Sequence, residues 1–435
     1  MPCTFANPSI TVRRLPVLLF AVLTSWATAA ELPRVDDASD RGMSDARLAR
    51  IGELGERYVA EGRLPGIMTA VARDGEIVHL SVSGTMGAGD PRPLREDAIL
   101  RIYSMTKPIA AVAALMLYEE GAFQLSDPIT KFLPELEGLE VYGAEGNEPV
   151  RRPPTMQQLM THTAGFGYVF TPHPVDAAYR QANLFATEDL DAFVDAVAQL
   201  PLIAQPGEIW HYSVASTLLG AIVERISGER FGAFLSSRIF EPLDMRDTSF
   251  NVPDDKLDRV MTNHVWSPDA GAPIPLGDDS GLNFAPQGNT LEWGGGGLFS
   301  TLRDYLRFAE MLRRGGELDG VRLLSPTTVA FMASDHLVVP AAATGERPTL
   351  ELGDLYIGGI GFGLGVSVIT DPRAAGVLGS VGDFGWGGAA GTIFWVDPVE
   401  DVVVVSMLQV MSSPWPLRSE LKVLTNAAIV ESRAR

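Results

Sequence analysis

The segment Tyr103-Ser104-Met105-Thr106-Lys107-Pro108 runs without a break into Ile109-Ala110-Ala111-Val112-Ala113-Ala114-Leu115-Met116-Leu117-Tyr118. Pro108 lacks an N–H and is comfortable only in the first turn of a helix, so the helix starts a few residues upstream, at or near Ser104. The run that follows is apolar on every face, which marks a helix buried on all sides. On the first turn positions i and i+3 share a face, so the amine of Lys107 can reach the hydroxyl of Ser104. The same turn supplies unpaired backbone N–H groups and the positive end of the helix dipole. Burial beside Ile109 to Val112 favours neutral lysine, the form a general base requires.

Ser-x-x-Lys is short, and it recurs: of Lys107, Lys131, Lys256 and Lys422, the last pairs with Ser419. Context separates the two matches. Ser419 stands in Arg418-Ser419-Glu420, on a charged terminal stretch that reads as a solvated helix face. A second element, Trp210-His211-Tyr212-Ser213-Val214, follows Pro206-Gly207. A third, Phe384-Gly385-Trp386-Gly387-Gly388-Ala389, stands directly before the strand-like run Gly391 to Val396. Glycines at the start of a strand let a ligand or another backbone approach closely. Taken singly, Tyr212 reads as a core tyrosine and Trp386 as a packing residue. No Gly-x-Ser-x-Gly elbow occurs, as another class of serine hydrolase would need. The histidines show no paired metal-ligand spacing, so neither a metal nor a cofactor is expected, and His162 reads as structural.

These motifs sit in 435 residues, 46% apolar and 20% charged, the composition of a folded soluble enzyme rather than a disordered chain. The net charge of −20 repels phosphate backbones and anionic lipid, which argues against a nucleic-acid partner. Residues 1–30 read as a signal peptide: Arg13-Arg14, the apolar run Leu15 to Leu23, then Ala27-Thr28-Ala29. A periplasmic or secreted protein is expected, and the lone Cys3 would leave with the signal. No later stretch is long and apolar enough to span a bilayer, so no membrane insertion is expected after signal removal. Ser44 to Glu61 reads as an amphipathic helix capped by Ser44, and Ile67–Ala72 and Glu76–Val82 as a hairpin about Arg73-Asp74-Gly75. Helical signals then dominate to about Ser280, clearest at Thr187–Leu200, Thr217–Ile226 and Phe231–Ile239. After a helix from Ser300 to Leu312, strand signals return at Phe362–Ile369, Gly391–Val396 and Val402–Gln409, and Arg418–Val430 ends the chain as a helix. The simplest packing is one sheet built from both ends of the chain, with a helical insertion beside it and the site in the cleft between. The expected parts are an α/β domain from 31–108 and 285–435, and a mainly helical one from 109–284.

In this order and spacing the three elements resemble the serine β-lactamase and penicillin-binding protein superfamily, nearest to the class C-like esterases called family VIII carboxylesterases. The resemblance extends to Met160-Thr161-His162-Thr163-Ala164-Gly165, Gly294 to Ser300 and Trp395-Val396-Asp397-Pro398. It implies a β-lactamase-like fold, an antiparallel sheet flanked by helices with an all-helical domain. It implies Ser104 as nucleophile, Lys107 as its base partner and Tyr212 as a proton shuttle. The backbone N–H groups of Ser104 and Ala389 would form the oxyanion hole, with Trp386, Gly387 and Gly388 against the substrate. The implied activity is hydrolysis of short-chain carboxylic esters, the substrate being a small molecule. The alternatives are a class C-type β-lactamase or D-alanyl peptidase, an acyltransferase on the same scaffold and, more remotely, a non-catalytic binding protein. Two departures matter. Tyr212-Ser213-Val214 lacks the Asn of the family's Tyr-x-Asn, and Trp386-Gly387-Gly388 replaces the Lys-Thr-Gly of β-lactamases, whose lysine helps to hold a carboxylate. Thr217 stands where the family esterases carry Asp.

Overall fold

A computed structural model describes residues 1, 32–277, 283–337 and 358–434; apart from Met1, the expected signal segment lies outside them. The framework is one eight-stranded antiparallel sheet. Its strands in chain order are β1 (Gly66–Arg73), β2 (Glu76–Gly87), β3 (Asp90–Pro93), β4 (Ile360–Phe362), β5 (Ser367–Ile369), β6 (Phe384–Gly387), β7 (Ile393–Asp397) and β8 (Val402–Leu408). The spatial order is β4-β5-β6-β7-β8-β1-β2-β3, so β8 from the C-terminal end pairs with β1 from the N-terminal end. The β1–β2 turn places Asp74 and Gly75 at φ 59° and 84°, the left-handed pair that a two-residue hairpin requires.

Both faces of the sheet are covered, which is why β1 and β8 are buried along their whole length. Helices α1 (Asp45–Ala60) and α5 (Leu417–Ala428) bury Leu48, Ile51 and Leu421 against Ile67, Val71, Val404 and Leu408. On the other face, Tyr305, Leu306 and Phe308 of α4 (Leu302–Arg313) join the core that contains Met68, Ala70, Val403 and Val405. That core continues through α2 (Thr106–Glu119) into α3 (Ala215–Ser227). Every residue of α2 from Thr106 to Leu117 is buried, the environment its all-round apolar sequence demands.

Several elements differ from the sequence reading. Phe362–Ile369 is not one strand but two: β4 ends at Phe362, and the chain reverses through Gly365 (φ 86°) into β5. The helix expected from Thr187 runs only Leu190–Val197, because Asp189 caps it by accepting from the Ala192 N–H. The helix from Phe231 ends at Leu235 and continues as a wider turn over Ser236–Phe240. Ser44 occupies the N-cap of α1 without a side-chain capping bond. The middle segment also carries a hairpin, His264–Ser267 with Ala272–Pro275, whose first strand pairs in parallel with Val410–Met411. Alternation over four-residue strands is too short a signal to outweigh neighbouring helical patterns.

Candidate active site

Ser104 lies on a single 3-10 turn, Tyr103–Met105, that leads directly into α2. Tyr103 takes φ 46°, a sparsely populated conformation for a non-glycine residue, and its hydroxyl accepts from Asn263 Nδ2 at 2.6 Å. The turn is fastened to the glycine-rich segment opposite: Ile102 N–H donates to Leu298 O (3.0 Å), and Leu298 N–H donates to Thr106 Oγ1 (3.2 Å). Lys107, one turn on, places Nζ 3.2 Å from Ser104 Oγ and donates to Gly295 O at 2.6 Å. From the far side of the cleft the Tyr212 hydroxyl donates to Ser104 Oγ at 2.7 Å. The segment bearing Tyr212 is held by backbone bonds from His211 N–H to His162 O and from Val214 N–H to Gly167 O, just before α3 begins.

Lys107 is 1% exposed, and burial holds its amine well below the ordinary lysine range. Its neighbours are the Gly295 carbonyl and the rings of Tyr212 and Tyr168, 4.5 and 5.4 Å from Nζ. Burial also pushes the Tyr212 phenol up, against opposing contributions from the Ser104 hydroxyl and the Trp386 indole N–H. Burial thus favours the uncharged amine and the uncharged phenol, one able to accept a proton and one able to give it. His162 is buried and held neutral by that burial; its Nδ1 accepts the Ser213 N–H and its ring packs 5.0 Å from that of Tyr212. It supports the tyrosine and does not reach Ser104 Oγ by any hydrogen bond among the described residues.

Strand β6 forms the third wall. The Trp386 ring lies 5.6 Å from that of Tyr212 and 5.2 Å from that of Phe362, almost fully buried, and its N–H, though near the Tyr212 oxygen, makes no well-formed hydrogen bond among the described residues. Gly388 is glycine because a backbone comes close: a Cβ there would stand 2.5 Å from the carbonyl oxygen of Ile102, two residues before Ser104. Gly388 N–H donates to Thr392 O, which closes the turn that presents Ala389. Ala389 is exposed, and its N–H has no acceptor among the described residues. Gly387 leaves room for the guanidinium of Arg418, which donates to Gly388 O at 2.6 Å and to Thr392 O at 3.2 Å. Of the expected residues, Ser104, Lys107, Tyr212 and Trp386 thus meet in one place, while Gly387 and Gly388 shape the turn beside them.

A family comparison agrees with this geometry: the Beta-lactamase family profile matches residues 51–428. The chain belongs to that family. Among characterised and uncharacterised relatives, it is similar to Protein Rv1367c of Mycobacterium tuberculosis, 35% identical over 80% of this chain and 86% of that one. It is also 32% identical to Esterase EstB of Burkholderia gladioli, over 80% of this chain and 87% of the esterase. Among solved structures it resembles EstCE1, described as a hydrolase with promiscuous acyltransferase activity, with a TM-score of 0.73 and 26% identity over 89% of this chain and 99% of that one.

Within this Beta-lactamase family chain, three contributors escaped the sequence reading. The Gly295 carbonyl fixes Lys107, but a backbone acceptor leaves no trace in residue type. Tyr168 borders the lysine from a loop with no motif of its own. Arg418 reaches the site from a terminal helix read as solvated. Thr217 is fully buried with its Oγ1 unpartnered among the described residues; a Cβ on Gly295 would lie 2.9 Å from that oxygen, 3.5 Å from the Tyr168 hydroxyl and 3.7 Å from Lys107 Nζ. Val214 ends the Tyr212 segment as a buried apolar residue where the family's Asn would offer an amide.

Proposed function

We propose that this protein is a serine ester hydrolase of the family VIII type, with Ser104 as nucleophile. The observation that carries the reading is a serine oxygen held between a buried lysine, whose amine burial holds well below its ordinary range, and a buried phenol. Lys107 takes the Ser104 proton as Oγ bonds to the ester carbonyl carbon. The carbonyl oxygen, now an anion, is received by the N–H groups of Ser104 and Ala389; a single donor of this kind is worth about 3 kcal/mol. The carbon–alkoxy bond breaks as Tyr212 gives its proton to the departing alcohol, and the nearby Lys107 ammonium stabilises the phenolate and restores its proton. Water then attacks the acyl carbon, losing its proton to the same pair, and Ser104 leaves reprotonated. No step calls for a metal or cofactor.

The esterase relatives support ester over lactam chemistry, and so does Trp386, an indole where a lactamase presents a cation to the substrate carboxylate. Delivery of the acyl group to an alcohol in place of water would give acyl transfer, an activity named for EstCE1. We propose further that the chain is exported, which the basic and apolar pattern of residues 13–29 supports. The deciding measurement compares kcat/KM for p-nitrophenyl butyrate and benzylpenicillin, with Ser104→Ala as blank. The ester is expected to lead by about 100-fold or more, some 2.7 kcal/mol of barrier. Equal values would overturn the assignment.

A further inference from the structure

Phe170 is 42% exposed, an unusual place for a phenylalanine, and it is not on a loose loop. The carboxylate of fully buried Asp176 accepts the Tyr168 N–H (2.8 Å), the Thr171 N–H (3.0 Å) and the Thr171 hydroxyl (2.8 Å). Arg180 Nη1 donates to Val169 O (2.9 Å) and Thr171 O (2.8 Å), so the backbone on both sides of Phe170 is fastened. Burial alone would raise the Asp176 carboxyl. The bonds from His211, Tyr168 and Thr171 outweigh it and bring the group to about 2, so the clamp stays ionised and closed at neutral pH. His211 Nε2, 3.1 Å from Asp176 Oδ1, ties the same clamp to the residue preceding Tyr212.

The ring so presented faces the proposed chemistry. Phe170 lies 6.0 Å from Tyr212 at an interplanar angle of 25°, and 4.7 Å edge-on from Tyr168. Trp210 lies almost parallel to Tyr212, at 6.1 Å and 12°, so the catalytic phenol has near-parallel aromatic neighbours, of which Phe170 is the one open to solvent. The clamp fixes the loop on both sides of the ring, so Phe170 presents a preset apolar surface beside Tyr212.

We propose that Phe170 is the outer wall of a leaving-group subsite that selects esters of planar aromatic alcohols. The inference rests on the ester-hydrolase reading, since it is Tyr212 that hands its proton to the departing oxygen. A group bonded to that oxygen emerges beside Tyr212, whose ring is flanked by those of Phe170 and Trp386. Offset or edge-on ring contacts give selectivity without hydrogen bonds, so the preferred alcohol is flat and apolar rather than a sugar or a charged head group.

The test holds the acyl group constant and varies the alcohol: kcat/KM of the full chain, Phe170→Ala and Phe170→Leu on phenyl acetate and ethyl acetate. Taking each variant relative to wild type cancels the intrinsic reactivity of phenol as a leaving group. Phe170→Ala is expected to lose about tenfold on phenyl acetate, at least about fivefold more than on ethyl acetate, with Phe170→Leu between. Labelling of Ser104 by a small alkyl fluorophosphonate in both variants reports that the fold and nucleophile are intact. Equal losses on the two esters, or none, would overturn the subsite while leaving the esterase reading standing. A wild type that labels on Ser104 but hydrolyses neither ester would overturn both.

Discussion

Two copies of Ser-x-x-Lys, Ser104/Lys107 and Ser419/Lys422, lie on helices of one chain and meet opposite fates. In the first, the lysine is buried, faces the Gly295 carbonyl and two aromatic rings, and has its pKa held down by that burial. In the second, Lys422 turns away into a salt bridge with Asp383, a carboxylate almost wholly buried, while Ser419 stays exposed. Spacing fixes only that the two side chains of each pair share a helix face. What differs is the packing: Lys422 meets a carboxylate, whereas Lys107 meets a carbonyl and ring faces, surroundings that suit the base role proposed for it.

The largest effect expected from breaking this contrast is on turnover. Ser104→Ala or Lys107→Ala should lower kcat by about 10⁴-fold or more, and the Lys107→Ala/Tyr212→Phe double variant should be little worse than Lys107→Ala, because the three groups act as a unit. Ser419→Ala should leave the rate within about twofold, as surface changes away from a site do. Steady-state kinetics on one ester checks all four, and an active Ser104→Ala enzyme would refute the assignment of nucleophile.

The second site should show its worth in stability. Lys422→Met leaves the Asp383 carboxylate buried without its partner, and loss of one member of such a pair costs about 3 kcal/mol. Burial pushes the Asp383 carboxyl up to about 6 even with Lys422 opposing, and without the lysine it rises further. The carboxyl is then protonated at or below pH 6, so the destabilisation should be largest above pH 7 and shrink as pH falls. Urea unfolding of the variant at pH 5.5 and 7.5 measures this; a pH-independent loss would show that the charge of Asp383 is not the cause.

The contrast also shows where sequence reading succeeds. The start of α2 was legible because Pro108 and an unbroken apolar run leave few conformations, and burial of Lys107 followed from the same run. The meeting of β1 with β8 was legible as strand signals at both ends of the chain. The acceptor for Lys107 was not, since any residue's carbonyl at position 295 would look the same in sequence. Nor was the inward turn of Lys422, whose partner Asp383 is 39 residues away on the segment entering β6 and carries no motif. Phe362–Ile369 misled because its glycines were read as strand interior, while φ 86° at Gly365 makes a turn. Local pattern determines elements, and long-range partners decide what each polar group does.

The smallest effect, and the most direct inversion, is to give Lys107 the kind of neighbour that Lys422 has. Thr217 is the place: its Oγ1 has no partner among the described residues and converges with Lys107 Nζ on Gly295. Thr217→Val keeps the shape and removes a hydroxyl that bonds nothing, so the pH profile of kcat/KM should not move. Thr217→Asp puts a carboxylate within reach of the amine, and an opposite charge at such range raises a lysine pKa by about one unit or more. Lys107 works as a base only when neutral, so activity is present above its pKa and is lost as pH falls through it. Raising that pKa therefore moves the acidic limb of the profile upward by about one unit, with the rate recovering at alkaline pH. The position of that limb in the wild type, Thr217→Val and Thr217→Asp is the readout. An unmoved limb in the aspartate variant would mean that Lys107 is not the titrating base, and the distinction between the two Ser-x-x-Lys sites would then need another cause.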